Sequence, residues 1–311
     1  MKSELLYFLK RVGITLGIVL ILDVVFGLFA DNSLKYLPDF CPPSVNPQIV
    51  KDNYRLHRME SEVVILGSSR ATHHYVTEVI GRSIDSLKGR HYSIYNAGID
   101  GKFVNSNAFA AEMIASRYRP QLVIFDVGEI QLHERNVSDI EFTAPFYWQD
   151  TILKRYLDKI SLKERIVMKS NLYRYNGKPL RMLPCFLTSS EADDGYLPTF
   201  GHLHPKDLLD QSKDFADTPL DDYTVENLEH VLHLYQSVNI PLILVYSPSY
   251  KANHSCNHLL ELARQYDVPF IDMHNIFDAN PSFFRDPLHL NDSGAHFFTT
   301  LFVEELKPFL D

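Results

Sequence analysis

The 311-residue sequence predicts an α/β fold, a parallel five-stranded sheet between layers of helix, with an insertion after the third strand and one membrane-crossing helix ahead of it. Three observations carry that expectation. Five short apolar runs recur along the chain, and helical patterns alternate with them, as a parallel sheet buried on both faces requires. Hydrophobic residues make up 45% and charged residues 22%, the balance of an ordinary globular domain. One unbroken apolar segment near the start is long enough to span a bilayer.

That segment comes first. From Val12 to Ala30 the only charged side chain is Asp23, and thirteen of the nineteen residues are Leu, Ile, Val or Phe. Nineteen helical residues reach roughly 28 Å, close to the ~30 Å of a bilayer core. The apolar residues contribute about −4 to −8 kcal/mol to insertion, against about +3 for the Asp. Lys2, Lys10 and Arg11 flank the start, whereas Asp31 and Asp39 follow the end. The asymmetry places the N-terminus in the cytoplasm and the rest outside, in a single-pass protein of the cytoplasmic membrane. The competing reading is a cleaved signal peptide, but Leu28 and Phe29 are bulky for a cleavage site.

Residues 1–30 are thus expected to anchor the chain, and 31–60, with Pro38, Pro42, Pro43 and Pro47, to form an extended tether. Residues 61–311 hold the domain. Its strands are expected at Val63–Gly67, Tyr92–Gly98, Leu122–Gly128, Leu242–Tyr246 and Pro269–Met273, with helices near 75–88, 103–118, 222–238, 254–266 and 293–308. The stretch 131–220, rich in Tyr, Phe, Pro and charge, is too long for a connection and reads as an insertion, a lid or substrate-shaping element, with a helical segment near 150–170.

The net charge of −9 leaves no basic surplus for nucleic acid. Cys41, Cys185 and Cys256 are too few for a disulfide framework and lack zinc spacing. No G-x-G-x-x-G follows the first strand, so no nucleotide cofactor is expected, nor any metal.

Two motifs carry chemistry. Gly67-Ser68-Ser69-Arg70 ends the first strand and sets a hydroxyl at the carboxyl edge of the sheet, where open α/β folds place their sites. Serine is also a common helix N-cap, so the motif alone is ambiguous. Near the far end, Asp286-Pro287-Leu288-His289-Leu290-Asn291 places a carboxylate three residues before a histidine, able to fix its tautomer while the other nitrogen faces a serine. Asp292 or Ser293 is expected to cap the helix that follows. Loops after strands one and five share an edge, so Ser69, His289 and Asp286 fall at compatible places.

On these motifs the sequence resembles the SGNH (GDSL-like) hydrolase superfamily, over residues 61–130 and 240–308. The resemblance implies a flavodoxin-like three-layer arrangement, with Ser69 as nucleophile, His289 as base and Asp286 as its partner. Asn96-Ala97-Gly98-Ile99-Asp100-Gly101 is similar to the family's second block, which implies Gly101 as an oxyanion-hole donor. The third block, Gly-x-Asn-Asp in the family, is Gly128-Glu129-Ile130-Gln131 here, so the side-chain donor is out of register. Gln131 or Asn105 is the available amide, the alternative being a hole with backbone donors only. The resemblance further implies a membrane-anchored bacterial envelope protein acting on O-acyl, chiefly acetyl, groups of glycans, as an esterase or acyltransferase. The alternative is a catalytically weak or inactive protein on the same fold that binds glycan or assists a polysaccharide export complex.

Other residues have plainer readings beside functional ones. His73 and His74 are expected to cap or to be solvated, or one of them to line the pocket. Arg70 pairs with a nearby acid or meets an anionic substrate. His202 and His204 lack partners for a metal, and Glu129, His133 and Glu134 suit a polar loop better than an acid/base pair. Tyr196, in a Gly-Tyr-Leu-Pro turn, is an aromatic available to a sugar ring.

Overall fold

The computed structural model describes residues 2–35, 61–133, 148, 150–158, 160–175, 194–204, 219–251 and 256–310. In chain order the elements are α1 (Lys2–Lys35), β1 (Val63–Gly67), α2 (Ser69–His74), α3 (Thr77–Lys88), β2 (Ile94–Asn96), α4 (Val104–Arg117), β3 (Leu122–Asp126), α5 (Thr151–Leu157), α6 (Leu162–Val167), α7 (Asn171–Tyr175), α8 (Asp222–Val238), β4 (Leu242–Tyr246), α9 (Asn257–Gln265), β5 (Phe270–Asp272), β6 (Phe284–Asp286), β7 (His289–Leu290) and α10 (Asp292–Leu306). Two compact units divide the chain: residues 1–53 with 141–191, and residues 54–140 with 192–311.

The second unit is the expected α/β fold. Its five strands run parallel in the order β2-β1-β3-β4-β5. Every residue of β1, β3 and β4 is buried, which is why these runs are continuously apolar rather than alternating. Val63 and Ile65 pack with Ile80 and Ile84 of α3 and with Phe298 and Phe302 of α10 in one core. The sequence misses two elements. The short helix α2 begins at Ser69 itself, and a two-residue break separates it from α3. The Asp286–His289 motif is a small antiparallel hairpin, β6–β7, rather than a plain loop. The cap of α10 also differs: Asn291 accepts from the Gly294 amide (3.0 Å), and Asp292 is the first helical residue.

Close approach dictates the glycine that ends β1. Gly67 has φ +150°, and a Cβ there would lie 2.7 Å from the Ala71 Cβ and 2.9 Å from the Asp126 carbonyl oxygen. Only a glycine lets the strand turn directly into α2 with β3 so near.

The first unit holds α1 and the helices α5–α7. Among the described residues α1 alone is long and apolar enough to cross a membrane, over Ser3–Ala30. It continues to Lys35, five residues into the expected tether; residues 36–60, with Cys41, lie outside the described residues, as do Glu134 and Cys185. Asp150 caps α5 through the Ile152 amide (2.9 Å), and Ser161 with Glu164 forms a capping box on α6.

Replacing Gly67 by Ala should destabilise the sheet unit by roughly 2–3 kcal/mol, through strain and through displacement of α2. Denaturant unfolding of the variant checks this; an unchanged midpoint would refute the packing argument.

Candidate active site

Strand β1 delivers Ser69 to the carboxyl edge of the sheet, and the β6–β7 hairpin brings His289 to meet it. The Ser69 Oγ lies 2.7 Å from His289 Nε2. On the far side of the ring, Nδ1 is 2.8 and 3.0 Å from the two oxygens of Asp286. Asp286 also accepts the Leu288 and His289 backbone amides, at 3.0 and 3.1 Å, which the hairpin turns toward it. The tautomer follows: Nδ1–H donates to the carboxylate, leaving the Nε2 lone pair for the serine hydroxyl. Burial works to raise the Asp286 pKa, but the His289 bond and charge and the two amides outweigh it and hold the carboxyl below its ordinary value. Ser69 is part-exposed, and the His289 side chain is 22% exposed, so solvent reaches the pair.

Beneath this line lies a buried network that the sequence did not reveal. His74 is fully buried; its Nε2 accepts the Leu290 amide (3.0 Å) and its Nδ1 donates to Ser247 Oγ (3.2 Å). Ser247 in turn donates to Asp126 Oδ2 (2.6 Å), and Arg70 lies 3.6 Å from the same carboxylate. Burial raises the Asp126 pKa, and Arg70 and Ser247 pull against it. His74 is driven well below the ordinary histidine value, first by burial and then by the neighbouring His289 and Arg70. It therefore neither caps nor meets solvent, but holds hairpin to helix as a neutral ring. The only sequence signal was position: His74 follows the serine by five residues, within the short α2.

His73 does line the site. Its ring stands edge-on to His289 at 5.6 Å, with Nδ1 on the Leu197 carbonyl (2.8 Å) and Nε2 3.3 Å from Asp100. Gln131 donates through Nε2 to Ser68 Oγ (3.2 Å), next to the candidate nucleophile. Gly101 sits exposed in the turn after β2 with φ +72°. Asn105 instead faces α8, donating to Thr224 and accepting from Asn227. Arg70 takes the pairing option, on Asp126. Tyr196 is tied through its hydroxyl to Asp292 (2.9 Å). His202 and His204 are exposed.

Among the described residues two donor sets are close enough to share a cation, Glu129/His133/His258 and Cys256/Asp272/His274, each with its atoms within 4.8 Å of one another. Both escape sequence reading because separate elements bring their members together. Most of their donors already satisfy one another: Glu129 takes the His258 ring and the His258 and Leu259 amides, and Asp272 takes His274 Nδ1 (2.6 Å) and the Cys256 thiol. Among the described residues His133 makes only an edge-on ring contact with His258, and its Nδ1 is buried without a hydrogen-bond partner. Burial and the Asp272 carboxylate push that thiol up to about 12, so it stays protonated and is no rival nucleophile.

No family model and no curated protein matches the chain. Among solved structures it is similar to a two-domain esterase active on acetylated mannans, at 15% identity and a TM-score of 0.42, covering 82% of this chain and 53% of that one. It is also similar to a GDSL-like lipase from Bacteroides thetaiotaomicron, at 12% identity and a TM-score of 0.38, covering 84% and 98%. An α/β hydrolase from the metagenome of Lake Arreo, Spain, gives 12% and 0.39, covering 78% and 94%. These are distant likenesses of fold.

The His74 environment predicts an acid sensitivity. With its folded pKa depressed, the stabilising contribution is complete above the unfolded value near 6.5 and is lost as pH falls toward the folded value. Unfolding free energy should drop below pH 6.5 by up to about 1.4 kcal/mol per pH unit, and His74→Gln should flatten that window. Denaturant titrations between pH 7 and 5 measure it; equal slopes in both proteins would refute it.

Proposed function

We propose that this chain is a serine ester hydrolase of the SGNH type. The observation supporting it is the continuous hydrogen-bonded line from Ser69 through His289 to Asp286. In this reading His289 Nε2 takes the Ser69 proton as Oγ attacks an ester carbonyl, and Asp286 stabilises the imidazolium that forms. The same ring then gives the proton to the departing alcohol, leaving the acyl group on Ser69. The second half repeats the cycle with water, or with a sugar hydroxyl in the transfer variant. The backbone amides of Ser69 and Gly101 are the proposed oxyanion donors, and the Gln131 carboxamide, one position past the family's asparagine and donating to the neighbouring Ser68 Oγ, is the proposed substitute for it.

The finer reading assigns O-acetyl groups on cell-envelope glycans as substrate. A part-exposed Ser69 suits a small acyl group presented on a bulky carrier better than a long free acyl chain that needs a deep tunnel. We also read α1 as an uncleaved anchor, with the N-terminus cytoplasmic and the hydrolase unit on the outer side of the cytoplasmic membrane.

Acyl release from p-nitrophenyl acetate and from acetylated glycans tests the proposal. Ser69→Ala and His289→Ala should each lose at least about 10³-fold, and the double variant should be scarcely worse than either, because the residues act as a unit. Asp286→Asn should keep more activity than those two, because it misorients the histidine without deleting it. Gln131→Ala should lose about 10²–10³-fold if its amide meets the oxyanion. Wild-type turnover by Ser69→Ala would sink the hydrolase reading and favour a glycan-binding protein.

A further inference from the structure

The unit formed around α1 holds an element that the ester-hydrolase chemistry does not use. Helices α5–α7 bury Leu153, Tyr156, Ile160, Met168 and Tyr175 among themselves and their neighbours, yet other large apolar side chains face outward. Leu162 is 65% exposed, Ile166 57% and Tyr173 53%. Leu162 and Ile166 are four residues apart on α6 and so share one face. Between residues 151 and 175 the sequence carries seven Lys or Arg against two acids, in a chain whose net charge is −9. Apolar side chains beside exposed lysines are what a helix lying in a bilayer interface presents.

What this element is attached to decides the matter. The one charged residue of the apolar span, Asp23, is satisfied entirely from it. Its carboxylate accepts from Ser170 Oγ (2.6 Å), the Asn171 amide (3.1 Å), the Leu172 amide (2.9 Å) and Asn171 Nδ2 (3.2 Å). Gly27 lacks a side chain where Asn171 presses against α1, and Ala30 is fully buried. Asp23, Phe26, Gly27 and Ala30 therefore make one face of α1, spaced three, four and seven residues apart, and Phe26 packs edge-on to Tyr175 at 6.4 Å. Asp23 lies seven residues before Ala30, about 10 Å along the helix. A carboxylate at that depth is costly unless protein groups satisfy it. An expendable leader has no need of such a fitted partner.

We infer that residues 148–175 form a membrane-interfacial element, seated at the headgroup–acyl boundary of the bilayer that α1 crosses and recognising anionic phospholipid. The inference rests on the reading of α1 as a retained anchor. The aromatic residues agree with it: the chain's single tryptophan, Trp148, is in this element, with the Arg174 guanidinium 4.6 Å over its ring, and tryptophan and tyrosine favour that boundary. The exposed Lys163 and Lys169 supply the charge for the headgroups, and Leu162 and Ile166 enter the acyl region.

Trp148 is the natural probe. The full-length protein, extracted from membranes and its intact mass measured, is placed in nanodiscs of phosphatidylcholine with or without phosphatidylglycerol. Lipid brominated near the top of the acyl chains should quench about half of the emission or more, and more strongly with phosphatidylglycerol present. Leu162→Asp with Ile166→Asp should relieve the quenching, and Lys163→Glu with Lys169→Glu should remove the difference between the two lipid mixtures, with melting curves as the folding control. Unquenched emission from a chain that retains residues 1–30, or quenching that neither double variant alters, overturns the inference and leaves the anchor reading intact. A chain found in solution and beginning after Ala30 overturns the anchor reading, and the inference with it.

Discussion

One buried chain of contacts sets the candidate site: Arg70 to Asp126, Asp126 to Ser247, Ser247 to His74, and His74 to the Leu290 amide. It ties the ends of β3 and β4 to α2, and α2 to the hairpin carrying His289. Ser69 belongs to α2 and His289 to the hairpin, so this link holds together the two elements that the 2.7 Å contact spans. Each buried polar group in the line costs a few kcal/mol if left alone, and each is acceptable here only because its neighbour answers it. Such a network admits little play. Loss of one member would leave its partners unsatisfied.

Asn96 does a similar task on the other side. Its amide donates to the Ala71 and Tyr75 carbonyls, and its oxygen accepts the Gly98 amide. The carbonyls that end α2 thus find a donor, and β2 is held against the helix. The same residue that opens the Asn96–Gly101 motif in the sequence is, physically, a brace for the serine-bearing helix. Nothing about an asparagine after an apolar run announces that; it depends on where the carbonyls of α2 end.

The five strands and the long helices were legible because burial on both faces writes itself as apolar runs, and burial on one face as helical periodicity. The meeting of Ser69, His289 and Asp286 was legible because the two short motifs follow the first and fifth strands, whose loops share one edge. The buried network was not. Arg70, Asp126 and Ser247 are polar residues in or beside apolar runs, and their pairing is a property of the register between β3 and β4 and the turn after β1. His74 misled for the same reason: a histidine on a six-residue helix has no periodicity to say which face is inward. The cap of α10 shifted by one residue, from the expected Asp292 or Ser293 to Asn291, because a run of cap-forming residues offers several equivalent starts.

Of the three histidines near Ser69, His289 and His74 have opposite electrostatic duties in the proposed cycle, and their surroundings separate them. In the proposed cycle His289 must accept a proton and carry positive charge, which Asp286 and partial exposure permit. His74, with its ring centroid 6.5 Å from that of His289, has to remain neutral at the same moment, since a second positive charge would oppose the imidazolium. Its burial achieves this, and the Leu290 amide reinforces it by occupying the nitrogen a proton would need. Neutrality at His74 therefore has a double effect: it preserves the acceptor that positions the hairpin, and it adds no positive charge beside the proposed imidazolium. The acid sensitivity expected of the fold and the low positive charge around His289 then share one physical origin, the burial of the His74 imidazole.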